Sequence, residues 1–148
     1  MKKYLVLSLG LLSLISCDLE KYQLVTEYDL ETRFEKSGGK ETGTYEEVID
    51  FYTQLAESSG KVSLEEFGKT DSGKPLHLVI YSPSEEFDFE DLRKKNSIIL
   101  INNGIHPGES DGIDATMMLF RDLAGDSIAA PKNTVLATIP IYNVGGVL

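Results

Sequence analysis

The chain has 148 residues, 41% of them hydrophobic and 26% charged, which suits one globular domain and excludes a disordered tail, a collagen-like repeat or a coiled coil. Twenty-four acidic against 14 basic side chains leave a net charge of -10, so a body that tracks nucleic-acid phosphates is excluded as well. One Cys allows neither an internal disulfide framework nor a multi-Cys zinc site.

Met1-Lys2-Lys3 is a short basic start, followed by an almost wholly apolar stretch from Tyr4 to Ile15. That stretch is too short to span a membrane but suits the core of a signal peptide. It closes on Leu14-Ile15-Ser16-Cys17, which resembles a bacterial lipobox. The resemblance implies cleavage after residue 16 and diacylation of Cys17, hence an exported lipoprotein held at a membrane of the cell envelope. Losing Lys2 and Lys3 with the leader makes the remaining chain still more anionic, so the acyl chains would have to supply the attachment. A plain secretory signal with an incidental Cys is the alternative.

Residues 17–43 read as a linker and approach segment, interrupted at Ser37-Gly38-Gly39, and residues 44–148 as the folded part. Thr44-Tyr45-Glu46-Glu47 is a capping box. The stripe Tyr45, Val48, Ile49, Tyr52, Leu55, Ala56 predicts the helix that follows, with Gly60 as its stop. Val62–Phe67 and Leu76–Tyr81 predict two strands joined by the polar turn 69–74. Ser82–Lys95 reads as a loop with Phe87, Phe89 and Leu92 as anchors. Ser97–Ile101 is a continuous apolar run, as in a strand covered on both faces. A loop from Asn102 to Ser110 leads into a helix over 111–123, with Ile113, Met117, Phe120 and Leu123 on one face and Gly125 at its end. Thr134–Ile141 completes a right-handed βαβ unit.

The loop inside that unit carries the chemistry, because ligands in open α/β sheets gather at the carboxyl ends of strands. His106 and Glu109 are separated by Pro107 and Gly108. An imidazole and a carboxylate both bind zinc at about 2.0–2.2 Å. Pro107 keeps His106 extended, and Gly108 lets the chain fold back so that both side chains can converge. Gly104 allows a positive φ just upstream. By spacing alone the pattern also fits an ordinary loop His beside a Glu that complements the helix dipole. His77, in mid-strand, reads as a partly exposed structural histidine. Asp111 and Asp114 read as residues of the helix start, with a supporting role beside the metal as the alternative.

Residues 101–112, Ile-Asn-Asn-Gly-Ile-His-Pro-Gly-Glu-Ser-Asp-Gly, resemble the first zinc-binding motif of the carboxypeptidase A-like zinc carboxypeptidases. Thr44–Val48 resembles that family's opening helix, Phe67–Leu76 its hairpin, and Ile139-Pro140-Ile141-Tyr142-Asn143 its strand ending in Asn. The likeness covers roughly residues 40–146. It implies a mixed αβα sandwich, one zinc ion held by His106 and Glu109 with a third protein ligand, and a peptide substrate hydrolysed at its C-terminus by metal-activated water. Asn143 and Asp111 would stand beside the metal or the substrate.

The third ligand, the guanidinium that steadies the oxyanion, the Asn-Arg pair for the substrate carboxylate and the general-base Glu find no counterpart in these residues. The resemblance places them beyond Leu148, so the chain is expected to be the N-terminal part of a larger enzyme and inactive alone. Where that family often has Asn-Pro-Asp-Gly, this chain has Asn143-Val144-Gly145-Gly146. Two further readings stay open: a zinc-dependent N-acyl amino acid deacylase with a similar loop, and a lipoprotein that binds peptide or metal without turnover.

Overall fold

The computed structural model describes residues 29–148. The leader, Cys17 and the first part of the approach segment lie outside the described residues. Nine elements follow in order: α1 (Arg33–Lys36), α2 (Tyr45–Ser58), β1 (Val62–Lys69), β2 (Pro75–Tyr81), α3 (Phe89–Leu92), β3 (Ser97–Asn102), α4 (Asp111–Ala124), β4 (Thr134–Ile139) and α5 (Val144–Val147).

The strands form one mixed sheet in the order β1-β2-β4-β3. The tight turn between β1 and β2 makes an antiparallel hairpin, and β2 also runs antiparallel to β4. β3 and β4 are parallel, paired from Ser97–Thr134 to Asn102–Ile139, with α4 making the crossover. Period-two alternation divides the sheet into two faces. Val79, Tyr81 and Leu136 meet α2 and α4 on one side, together with Phe51, Tyr52, Met117 and Phe120. Ile80 and Val135 point the other way, where α3 lays Leu92 on them with Phe87 and Phe89 alongside. The anchors expected in the 82–95 loop are therefore real, and the short helix that presents them is an addition to that reading.

The expected capping box is formed, and a second one stands before it. Thr44 accepts from the Glu47 amide while the Glu47 carboxylate accepts from the Thr44 amide, and Thr32 with Glu35 does the same for α1. That second box lies within the expected linker, so the later part of residues 17–43 is structured rather than a plain connection. Glu35 also takes both terminal nitrogens of Arg121 on α4, at 2.7 and 3.0 Å, while Arg121 reaches the Leu30 carbonyl. One bidentate ion pair thus fastens the approach segment to the crossover helix.

Two other expectations need correction. The apolar run of β3 is not covered on both faces: Ile99 is 49% and Leu100 57% exposed. The strand has β4 on one side and, among the described residues, no strand on the other, so four consecutive apolar residues did not make it central. β4 stops at Ile139 instead of Ile141, and the stretch after it turns into α5, capped by the Asn143 side chain accepting from the Gly146 amide at 3.1 Å. Gly125 closes α4 as expected, and the left-handed position falls on the next residue, Asp126, which pairs with Lys61.

The Arg121 pair holds the Glu35 carboxyl at about 2, well below its ordinary value of 4.5. A lowered carboxylate pKa stabilises the fold above the unfolded value and is lost as pH falls through the folded one, so this contribution drains between about pH 4.5 and pH 2. Glu35→Gln is expected to cost roughly 1–3 kcal/mol at neutral pH and to flatten that acid limb, read by urea unfolding at several pH values. The Tyr52 hydroxyl is buried with no partner among the described residues, and its ring packs edge-on to Phe120. Tyr52→Phe keeps the ring and removes the orphaned hydroxyl, so urea unfolding is expected to show a gain of about 1 kcal/mol; a loss of that size would show that the hydroxyl has a partner.

Candidate metal site

Because β3 and β4 are parallel, the chain leaves β3 at its carboxyl end and must turn before α4 can cross back. The loop from Asn103 to Ser110 makes that turn. Its path depends on two left-handed glycines, Gly104 at φ 59° and Gly108 at φ 82°, a conformation that costs glycine little. At Gly104 space is limiting too, since a Cβ would stand 3.3 Å from the Ile113 side chain and 3.4 Å from the Ile141 backbone. The loop is gripped by the segment after β4: the Tyr142 amide donates to the Asn103 carbonyl at 2.8 Å, and the Asn143 amide to the Gly104 carbonyl at 2.9 Å.

The two residues singled out by spacing are brought together. His106 Nδ1 lies 2.9 Å from Glu109 Oε2, and the Glu109 amide donates to the His106 carbonyl at 3.3 Å, closing a tight turn around Pro107 and Gly108. Both side chains are open to solvent, 71% and 69% exposed. With Asn102, Asn103, Asp111 and Gly112 they border a shallow pocket of about 230 Å³. Behind them Thr42, Gly43 and Gly146 line a second hollow of about 210 Å³.

Glu109 is therefore turned to the imidazole, which favours the paired reading over a Glu acting only on the helix dipole. α4 has no side-chain cap from Ser110, and the acidic residues in its first turn are Asp111 and Asp114. Asp111 is exposed at the pocket rim. Asp114 is buried, and its Oδ1 has no partner among the described residues. Burial pushes its carboxyl pKa up, against the opposing pull of the Thr42 hydroxyl and the Gly43 amide. Asp114 thus faces the approach segment rather than the pocket. Asn143 is committed to capping α5 and also borders an open groove with Ile105 and Phe67.

His77, expected to be partly exposed, is buried at 6% exposure. Its Nδ1 stands 3.4 Å from the Tyr45 hydroxyl, which donates to the Pro75 carbonyl at 2.8 Å. Burial pushes the His77 pKa down, partly opposed by Glu66 with its carboxylate 3.9 Å away. Among the described residues no third His, Cys, Asp or Glu joins His106 and Glu109.

The donor set fits half of a zinc site. Two ligands on tetrahedral legs of about 2.0–2.2 Å stand about 3.3–3.5 Å apart, a few tenths of an ångström wider than the pair here. Both side chains are exposed and neither is enclosed by packing, so that adjustment needs no repacking of the core. Sequence reasoning missed Asn103 and Gly112, which lie under the loop. The only sign of Asn103 is a polar residue directly after an apolar strand, and Asn102 beside it makes that unremarkable.

No family model matches the chain, and no curated protein matches it. Solved structures do. The crystal structure of carboxypeptidase A from Helicoverpa armigera is similar at a TM-score of 0.59 and 22% identity, over 69% of this chain and 24% of that one. A bacterial protein assigned as a carboxypeptidase A, from Shewanella denitrificans OS-217, is similar at a TM-score of 0.51 and 23% identity, over 70% of this chain and 26% of that one. The chain therefore spans about a quarter of the length of either structure. At this level of identity the shared property is the fold: a mixed α/β, zinc carboxypeptidase-like architecture over about 70% of the chain.

Proposed function

We propose that His106 and Glu109 are two protein ligands of a zinc ion in a metallocarboxypeptidase, a hydrolase acting on peptide bonds at peptide C-termini. The observation that carries this reading is the 2.9 Å approach of His106 Nδ1 and Glu109 Oε2 at the carboxyl end of β3, within a carboxypeptidase-like fold. Zinc bound there would supply Lewis-acid activation of a water for attack on a carbonyl. The chain's own part is to hold and orient. Gly104 and Gly108 fold the loop so that imidazole and carboxylate converge, and the backbone bonds from Tyr142 and Asn143 fix the loop against the sheet. Asp111 at the pocket rim keeps negative charge close to the ligands.

A third ligand and a proton-accepting carboxylate belong to this chemistry; among the described residues no third His, Cys, Asp or Glu joins His106 and Glu109. With two ligands the chain as it stands is expected to bind zinc modestly and to hydrolyse peptides negligibly. Cys17 would attach the protein to a membrane of the cell envelope through its acyl chains, the substrate being a peptide on the exported side. Among the described residues no helix is long and apolar enough to cross a membrane.

Two measurements test the proposal. Calorimetric titration of the chain with zinc is expected to give one-to-one binding, weakened at least about tenfold by His106→Ala or by Glu109→Ala. Equal affinity in wild type and both variants would remove the pair from the metal. The hydrolase half is tested by the genomic frame after Leu148: a further His ligand and a late Glu base support it, and an immediate stop codon limits the protein to binding.

A further inference from the structure

Under the exposed His106–Glu109 loop lies a buried polar cluster for which the zinc reading gives no reason. Asn103 follows β3 directly and is 7% exposed. Its Nδ2 donates to Thr116 Oγ1 on α4 at 2.9 Å and to Thr138 Oγ1 on β4 at 3.3 Å. Both threonines are themselves buried, at 4% and 0% exposure. On the other side of the amide, Oδ1 faces Gly112 in the first turn of α4. A Cβ at that position would stand 2.7 Å from it, closer than real side chains approach. Gly112 is small because the Asn103 amide fills the space beside it.

The sequence positions give this cluster its meaning. Asn103 opens the metal loop, whereas Gly112 and Thr116 lie just past its end. A single side chain therefore joins the two ends of a loop whose path depends on two left-handed glycines. An apolar residue would fill the same volume without the cost of burying an amide, which is tolerated only when its hydrogen bonds are made. The bonds made here run to the crossover helix, which the loop enters, and to β4, the strand paired beside the one that the loop leaves.

We infer that Asn103, seated against Gly112, is a positioning residue: it fixes the separation of the loop's ends and so the convergence of His106 with Glu109. The inference deepens the zinc reading and rests on it for the metal readout alone.

The test compares the full chain with Asn103→Ala, Gly112→Ala and the double variant, well below their unfolding temperatures. Amide hydrogen exchange over residues 105–110 reports the loop, exchange in α2 serves as the control, and calorimetry gives zinc affinity. Each single variant is expected to speed exchange at the Glu109 amide at least about tenfold and to weaken zinc binding about tenfold, with α2 unchanged. The double variant is expected to lose no more than either single one, because the new Cβ enters the space that the amide has left. Unchanged loop exchange in both single variants would overturn the inference, and so would additive losses in the double. Should Asn103→Ala fail to fold, Gly112→Ala decides: alanine favours a helix over glycine, so a looser loop there must come through the Asn103 contact. If wild type binds no zinc, the zinc reading falls while loop exchange still decides the role of Asn103.

Discussion

The parallel pairing of β3 with β4 is the constraint on which the rest of the described structure depends. Parallel neighbours cannot be joined by a tight turn, so the chain must cross over the sheet. α4 makes that crossing and buries Ile113, Met117, Phe120 and Leu123 in doing so. Two consequences follow from one pairing. The loop before α4 must open at the carboxyl edge of the sheet, where ligand sites gather in this class of fold. The helix must also lie flat enough to meet α2, which places Phe120 between the rings of Tyr52 and Tyr81. Site and core are therefore consequences of the same connection.

The segment before α2 acquires its place through α4 as well. Glu35 binds Arg121 near the C-terminal end of that helix, and Thr42 and Gly43 face Asp114 near its beginning. The approach segment lies along the helix and reaches the back of the loop before α4, where Thr42 and Gly43 border the same hollow as His106 and Glu109. A stretch that reads as a connection thus contributes a wall to the site. The electrostatics differ at its two ends. Glu35 is partnered by a guanidinium and stays ionised far into acid, whereas Asp114 has an unpartnered oxygen and resists ionisation.

Periodicity made both long helices legible, since a 3.6-residue stripe is a property of the residues themselves. The capping box at Thr44, the hairpin turn and the His106–Glu109 pair were legible for the same reason: each is a local pattern with a local cause. What stayed hidden depends on partners distant in sequence. The run Ile98–Ile101 says that a strand is apolar, but not which neighbours it has, and among the described residues it lies at the edge of the sheet. α1 escaped notice because four residues carry too little periodicity to be seen. Asn103 escaped because its two hydroxyl partners lie 13 and 35 residues away.

Even charged side-chain contacts in water are worth only about 0–1 kcal/mol, and His106 and Glu109 are both mostly open to water. Their mutual contact is therefore too weak to fix a loop containing two left-handed glycines. Buried bonds are better placed to do so: the Asn103 amide on two enclosed hydroxyls, the paired backbone of Asn103 and Tyr142, and the Gly104 carbonyl held by Asn143. A site whose donors must stay free to take a ligand cannot also use those donors as its fastening. In this chain the two lie one layer apart, with the candidate donors His106 and Glu109 in solvent and the Asn103 amide with its hydroxyl partners in the core.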